Sequence, residues 1–226
     1  MPKRRKRDRR SVLPIVLLCV GVVLFLGTVI TVLVLTTNRG SREKGTDPTS
    51  STGGPGPSRP GGPELLVNGS FEDGPEPDAG GPGFTPLEAG STVIRGWTVT
   101  RGSVDYIGPY WQHADGNRSI DLNGNEPGAI AQTFRTTPGK KYRVTFSLAG
   151  NTCEGPTLKV VAVSAAGQRA EFTFDAAGRS YPDMGWVTKT WEFTASAAET
   201  TLEFESATPD PPACGPALDK VSVVEV

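Results

Sequence analysis

The sequence predicts an all-β sandwich displayed behind one transmembrane helix on a disordered linker. Three observations predict it. About ten short runs after Glu64 alternate apolar and polar residues, the run Val12–Leu35 carries no charge, and the stretch between them holds almost no apolar side chain. Alternation with period two half-buries a strand, and the Gly, Pro, Asn and Asp between runs supply turns, which together read as a sandwich. No stretch after residue 40 keeps a helical period over three turns.

In chain order, residues 1–11 are a basic tail, with seven cations against one anion in Lys3–Arg10. Residues 12–35 follow as a 24-residue apolar run, which as a helix spans roughly 36 Å, enough for a hydrocarbon core of about 30 Å. The cationic flank places the N-terminus in the cytoplasm and everything after the helix outside the cell membrane, a single-pass arrangement. The rival is a cleaved secretory signal, but signals have a shorter apolar region and a small-x-small cleavage site, and this run exits through Thr36-Thr37-Asn38-Arg39. Residues 36–63 form the linker, since a Gly/Pro/Ser/Thr stretch cannot bury enough surface to offset its chain entropy. Residues 64–226 are the extracytoplasmic domain.

Within that domain, strands are expected near Trp97–Thr100, Val104–Ile107, Ser119–Leu122, Ala129–Phe134, Tyr142–Leu148, Leu158–Val163, Glu171–Phe174, Val187–Phe193, Thr200–Ser206 and Leu218–Val224. A further first strand is expected just before Glu72. The Gly/Pro-rich segment 73–96 reads as a long loop. Trp97, Phe146, Trp191 and Phe204 alternate with polar neighbours and are expected in the core.

Charge and motifs exclude several function classes. The formal charge is −1, and removing the +6 of Lys3–Arg10 leaves −7 for residues 11–226. An acidic domain is a poor partner for nucleic acid or heparin, which need clustered Lys and Arg. There is one histidine, with no H-E-x-x-H, no G-x-S-x-G and no phosphate-cradling loop, so the toolkit of the common hydrolases is missing. Cys19 sits inside the apolar run as a small hydrophobe. Cys153 and Cys214 are the remaining pair, and in an oxidising compartment they read as a disulfide.

The aromatic-rich segment Tyr106–His113 is the leading candidate for ligand binding. Sugars present C–H faces that stack on aromatic rings, flanked by hydroxyls that need amide, carboxylate and guanidinium partners. Tyr110 and Trp111, with Gln112, His113, Arg118 and Asp121, offer both kinds of group; alternatively, Trp111 caps the core. Glu72 and Asp219 are a second candidate, as hard oxygen ligands for a structural calcium, or else two unrelated surface acids. Asn68-Gly-Ser and Asn117-Arg-Ser match the N-glycosylation sequon.

An ordered set of motifs runs through the domain: Leu66-Val67-Asn68-Gly69-Ser70-Phe71-Glu72, Gly96-Trp97, Val104-Asp105-Tyr106-Ile107, Ala129-Ile130-Ala131-Gln132, Phe146–Cys153, Met184-Gly185-Trp186 and Cys214-Gly215-Pro216-Ala217-Leu218-Asp219-Lys220-Val221. In this order they resemble DUF642, a family of plant cell-wall proteins with bacterial surface relatives of the choice-of-anchor C type. The resemblance implies a galactose-binding-like jelly roll, a disulfide between Cys153 and Cys214, and association with cell-wall or matrix polysaccharide or with wall-modifying enzymes. It also implies no catalysis. By analogy with similar carbohydrate-binding modules, it gives Glu72 and Asp219 a calcium-holding role. The expectation is a membrane-anchored glycan-binding module, with adhesion to another envelope protein as the alternative.

Overall fold

The computed structural model describes residues 62–226, apart from 79–80, 154 and 209–212. The expected tail, membrane helix and nearly all of the linker lie outside the described residues. Among the described residues no helix is long and apolar enough to cross a membrane.

The described residues form eleven strands: β1 Phe84–Glu88, β2 Thr98–Arg101, β3 Ser103–Ile107, β4 Ser119–Asp121, β5 Ala129–Arg135, β6 Lys141–Gly150, β7 Leu158–Ala165, β8 Gln168–Asp175, β9 Val187–Thr194, β10 Glu199–Ser206 and β11 Pro216–Glu225. They make two antiparallel sheets, one of six strands ordered β1-β3-β4-β11-β6-β9 and one of five ordered β2-β5-β10-β7-β8. Strands adjacent in space but distant in sequence, such as β4 beside β11, give the crossed connections of a sandwich.

Alternation decides which side chains meet between the sheets. In β6, Tyr142, Val144, Phe146 and Leu148 are buried, while Arg143 and Thr145 between them stay partly exposed. Phe146 meets Phe204 of β10 edge-on at 5.1 Å and Phe172 of β8 at 5.3 Å. Trp97 packs on Phe71 and Phe204, and Trp191 packs against the same core from β9. Burying one such ring contributes about 2–3 kcal/mol relative to leaving it in water.

Two sequence expectations fail here. Residues 73–96 are not wholly loop, because Phe84–Glu88 forms the edge strand β1, paired with β3. Pro86 within that run masked it, and an edge position is where a strand tolerates proline. Conversely, among the described residues no strand precedes Glu72. Asn68 and Phe71 take left-handed conformations with φ of 56° and 61°, so the chain corners instead of extending. The corner packs directly on β11: a Cβ on Gly69 would lie 1.9 Å from the Val221 carbonyl oxygen, and the Val221 amide donates to Gly69 at 2.7 Å. Gln132 of β5 serves the corner as a substitute strand, accepting from the Val67 amide at 2.7 Å and donating to its carbonyl at 2.8 Å.

Ahead of the corner, residues 62–65 run beside the lower half of β11. Gly62 donates to Glu225 and Leu65 to Val223, while the Glu64 carboxylate accepts from the Val223 amide and the Ser222 hydroxyl. β4 is only three residues long, and this segment takes over its place alongside β11.

Candidate ligand-binding face

Pairing registers place Ser119 and Asp121 of β4, Asp105 of β3, and Ala217 and Asp219 of β11 on the outer face of the six-stranded sheet. Two loops, residues 108–118 and 176–186, fold over that face and are tied together. Gln112 donates its amide to the Tyr181 carbonyl at 2.8 Å, and Trp186 donates its indole N–H to the Gln112 carbonyl at 2.8 Å. Met184 completes the tie by donating its amide to Gln112 Oε1.

Beneath the loops lies a small aromatic layer. Tyr110 stands 4.7 Å from Tyr181, 5.2 Å from Phe84 and 5.8 Å from Trp111, centroid to centroid. Trp111 is only 5% exposed, and its indole N–H donates to Ser119 Oγ at 2.8 Å. Ser119 in turn lies 3.0 Å from His113 Nδ1, and His113 Nε2 lies 2.9 Å from the Gly108 carbonyl. Since a carbonyl can only accept, the proton sits on Nε2, and Nδ1 accepts from the serine. Burial lowers the His113 pKa below its ordinary value, which agrees with a neutral ring.

The sheet face under this layer is acidic. Asp121 is fully buried and accepts from the backbone amides of Asn123 and Gly215 and from the Asn151 side chain. Burial nevertheless pushes it up to about 6. Asp105 lies opposite Asp121; burial, and then the charges of Asp121 and Glu88, push it up to about 7.

Three of the expected binding residues are therefore placed differently from the sequence reading. Trp111 is packing, because its ring is enclosed between sheet and loop. Asp121 is a clamp on three chain segments rather than a sugar acceptor. Arg118 is turned into the loop, paired with Glu76 and donating to the Asn117 carbonyl. Tyr110 is half-buried in the aromatic layer, with its hydroxyl on Tyr181. Gln112 and His113 reach an open surface.

Glu72 and Asp219 do converge on one loop, though as hydrogen-bond acceptors. Glu72 Oε1 takes the amides of Asn117 and Arg118, both at 2.7 Å. Asp219 takes those of Ala114, Asp115 and Lys220. A calcium ion needs six to eight oxygens, and N–H donors repel it. No group of three or more acidic, His or Cys residues suited to a metal occurs among the described residues. Both carboxylates thus spend oxygens on backbone N–H groups of the loop. Asp219 lies within β11.

The open surface is a cleft of about 1070 Å³ beside the covered patch. Its floor is the outer face of β6, β9 and β11, with Thr145, Ser147, Thr188 and Ser222. Gln112, His113 and Trp186 form one wall, and Arg179, Asp183 and Lys220 stand at the rim. Trp186 was legible only as part of a motif; nothing in its own spacing marked it as a surface ring, and its orientation comes from the bond to the Gln112 carbonyl. The expected disulfide is present, joining Cys153 and Cys214 with 5.8 Å between their Cα atoms. Of the two sequons, Asn68 already spends its side-chain N–H groups on the Asp73 and Arg95 carbonyls, whereas Asn117 is exposed.

The fold and face together define an antiparallel β-sandwich module with a lateral cleft on one sheet. The chain belongs to the DUF642 family, described as proteins of unknown function, whose model matches residues 64–224. Among curated relatives, it is 37% identical over 164 residues to halomucin of Haloquadratum walsbyi, a match covering 72% of this chain and 2% of that protein. It is 30% identical over 184 residues to the Arabidopsis thaliana protein DUF642 L-galactono-1,4-lactone-responsive gene 1, covering 75% of this chain and 48% of that one. The chain thus spans at most about half the length of these relatives. Among solved structures, a family 35 carbohydrate-binding module from Clostridium thermocellum is similar, with a TM-score of 0.38 at 11% identity over 62% of this chain and 97% of that one. A family 61 module in complex with β-1,4-galactotriose gives a TM-score of 0.40 at 14% identity, over 73% and 99% of the two chains. At this level of similarity they place no ligand in the cleft.

Proposed function

We propose that the domain binds a cell-wall or matrix polysaccharide in the cleft between Trp186 and Lys220, without transforming it, and does so from the outer side of a cell membrane. The observation that carries this reading is the Trp186 ring, fixed by its N–H bond at the edge of a floor made of hydroxyl side chains. A pyranose offers a C–H face to such a ring and hydroxyls to such a floor. Arg179, Asp183 and Gln112 add donors and acceptors within reach of the same volume. The acids with raised pKa values, Asp105, Asp121 and Asp219, lie under loops rather than in the cleft, which favours binding over hydrolysis.

Trp186→Ala is expected to weaken retention on an affinity gel of the cognate polysaccharide about tenfold, the loss of roughly 1.4 kcal/mol of contact. The thermal midpoint should fall only modestly, because the ring is partly buried and gives up one of the three hydrogen bonds between the loops. Unchanged retention on every glycan tested would remove the reading. Binding to an envelope protein that oligosaccharide does not compete away would assign the cleft to a protein partner.

The outer location rests on the basic block and the uncharged run Val12–Leu35. Protease added to intact cells is expected to release a fragment containing residues 64–226 while leaving the N-terminal tail membrane-bound. A domain that resists digestion until the cells are lysed would place it inside.

A further inference from the structure

Lys159 occupies an inward-facing position of β7, in alternation with Val161 and Val163, and is 1% exposed. An apolar residue would ordinarily fill such a position, since burying an ammonium is costly unless it is paired. Its stem lies against the backbone of Gly150, where even a Cβ would come within 2.5 Å of Lys159 Cγ. That slot aims the ammonium at the disulfide: Nζ is 2.9 Å from the Cys214 carbonyl oxygen, 3.1 Å from Cys214 Sγ and 4.0 Å from Cys153 Sγ. The Asp121 carboxylate of β4 is the acid whose charge acts on Lys159.

A disulfide sulfur is a weak acceptor, and so a poor answer to a buried cation. A thiolate is a strong one. The arrangement is also asymmetric, with Cys214 fully buried and Cys153 partly open.

We propose that the Cys153–Cys214 bond is a thiol-exchange site, open to attack at Cys153 and provided with a stabilised leaving group at Cys214. The co-reactant is an external thiol, either low-molecular-weight or on a protein. Its thiolate attacks Cys153 Sγ, the S–S bond breaks, and the electron pair leaves with Cys214 as a thiolate facing Lys159. The product is a mixed disulfide on Cys153. A second external thiolate attacks the external sulfur of that mixed disulfide, the two external thiols leave joined as their disulfide, and Cys153 departs as a thiolate, so two thiols supply the two electrons. Exchange rates rise as the leaving thiol becomes more acidic, and a neighbouring cation makes it so.

The test uses the full chain in detergent, in a Cys19→Ser background so that only two cysteines report. Reduction by glutathione is expected to be about tenfold faster with Lys159 than in Lys159→Met. Mass spectrometry of the trapped intermediate should place glutathione on Cys153. Independently of that variant's folding, Cys214 in the reduced protein with Lys159 present should titrate clearly below the free-thiol value of about 8.5, followed by thiolate absorbance. Equal reduction rates in a folded Lys159→Met protein, an adduct on Cys214, or a Cys214 titration at or above about 8.5 would each overturn the proposal.

Discussion

Trp111→Ala is expected to destabilise the domain by about 3–5 kcal/mol, the usual cost of deleting a buried indole. For a domain of this size that corresponds to a fall of roughly 10 °C in thermal midpoint. The loss has two sources. Removing the ring opens a void between Tyr110, Tyr181 and the sheet face, and Ser119 Oγ loses the donor that orients it toward His113. Trp111→Phe should keep most of the packing and cost about 1 kcal/mol for the lost hydrogen bond. The contrast with Trp186→Ala, where affinity falls and stability drops far less, separates the covered ring from the cleft ring. A Trp111→Ala protein that melts normally and yet loses its glycan would return Trp111 to the binding surface.

The second large effect is pH dependence. Asp105, Asp121 and Asp219 are held at about 7, 6 and 7, against an ordinary value of 3.8. A carboxyl raised in the folded state binds its proton more tightly there than in the unfolded chain. Its contribution is therefore complete below about pH 4 and is lost as pH rises through the folded value, over a window from about pH 4 to 7. Asp105 and Asp121 face each other, so their protons leave as a pair rather than residue by residue. His113, lowered by burial, acts in the opposite direction and removes stability as pH falls below its unfolded value of 6.5.

The expected result is a thermal midpoint near its maximum around pH 5 that declines towards about pH 8. Asp105→Asn, which keeps the shape and removes the charge, should raise the midpoint at about pH 8 and change little at about pH 4.5. A tenfold difference in proton affinity between folded and unfolded chain is worth about 1.4 kcal/mol, so the gain at about pH 8 is of the order of a few kcal/mol. A flat profile between about pH 5 and 8, or destabilisation by Asp105→Asn at the upper end, would show that Asp105 is ionised and satisfied in the fold.

Periodicity made the ten strands from β2 to β11 readable, because each half-buried strand writes its alternation into the sequence. β1 escaped because Pro86 and the surrounding glycines carry turn signals, and pairing with β3 overrides them. The Leu66–Phe71 corner was misread for the opposite reason. Its apolar residues look like a strand, but they are buried by a turn that Asn68 and Phe71 make at positive φ. The aromatic segment around Tyr110 was correctly picked out as unusual, yet whether its rings face inward or outward depends on the distant loop 176–186. Alternation carries no information about loops that fold back over a sheet. Trp186 and Lys159 were missed on the same ground: one is aimed by a carbonyl of Gln112, the other by a slot at Gly150.

The residues at which the long N-terminal segment joins the domain, 62–65, run antiparallel to β11 and border the cleft through Gly62 and Glu64. Traction applied through that segment against a polymer gripped in the cleft would pass between neighbouring strands, from β6 and β11 straight to residues 62–65. Hydrogen bonds between antiparallel strands run perpendicular to them, so a pull along the strands would load these bonds together. The five-stranded sheet lies off that route.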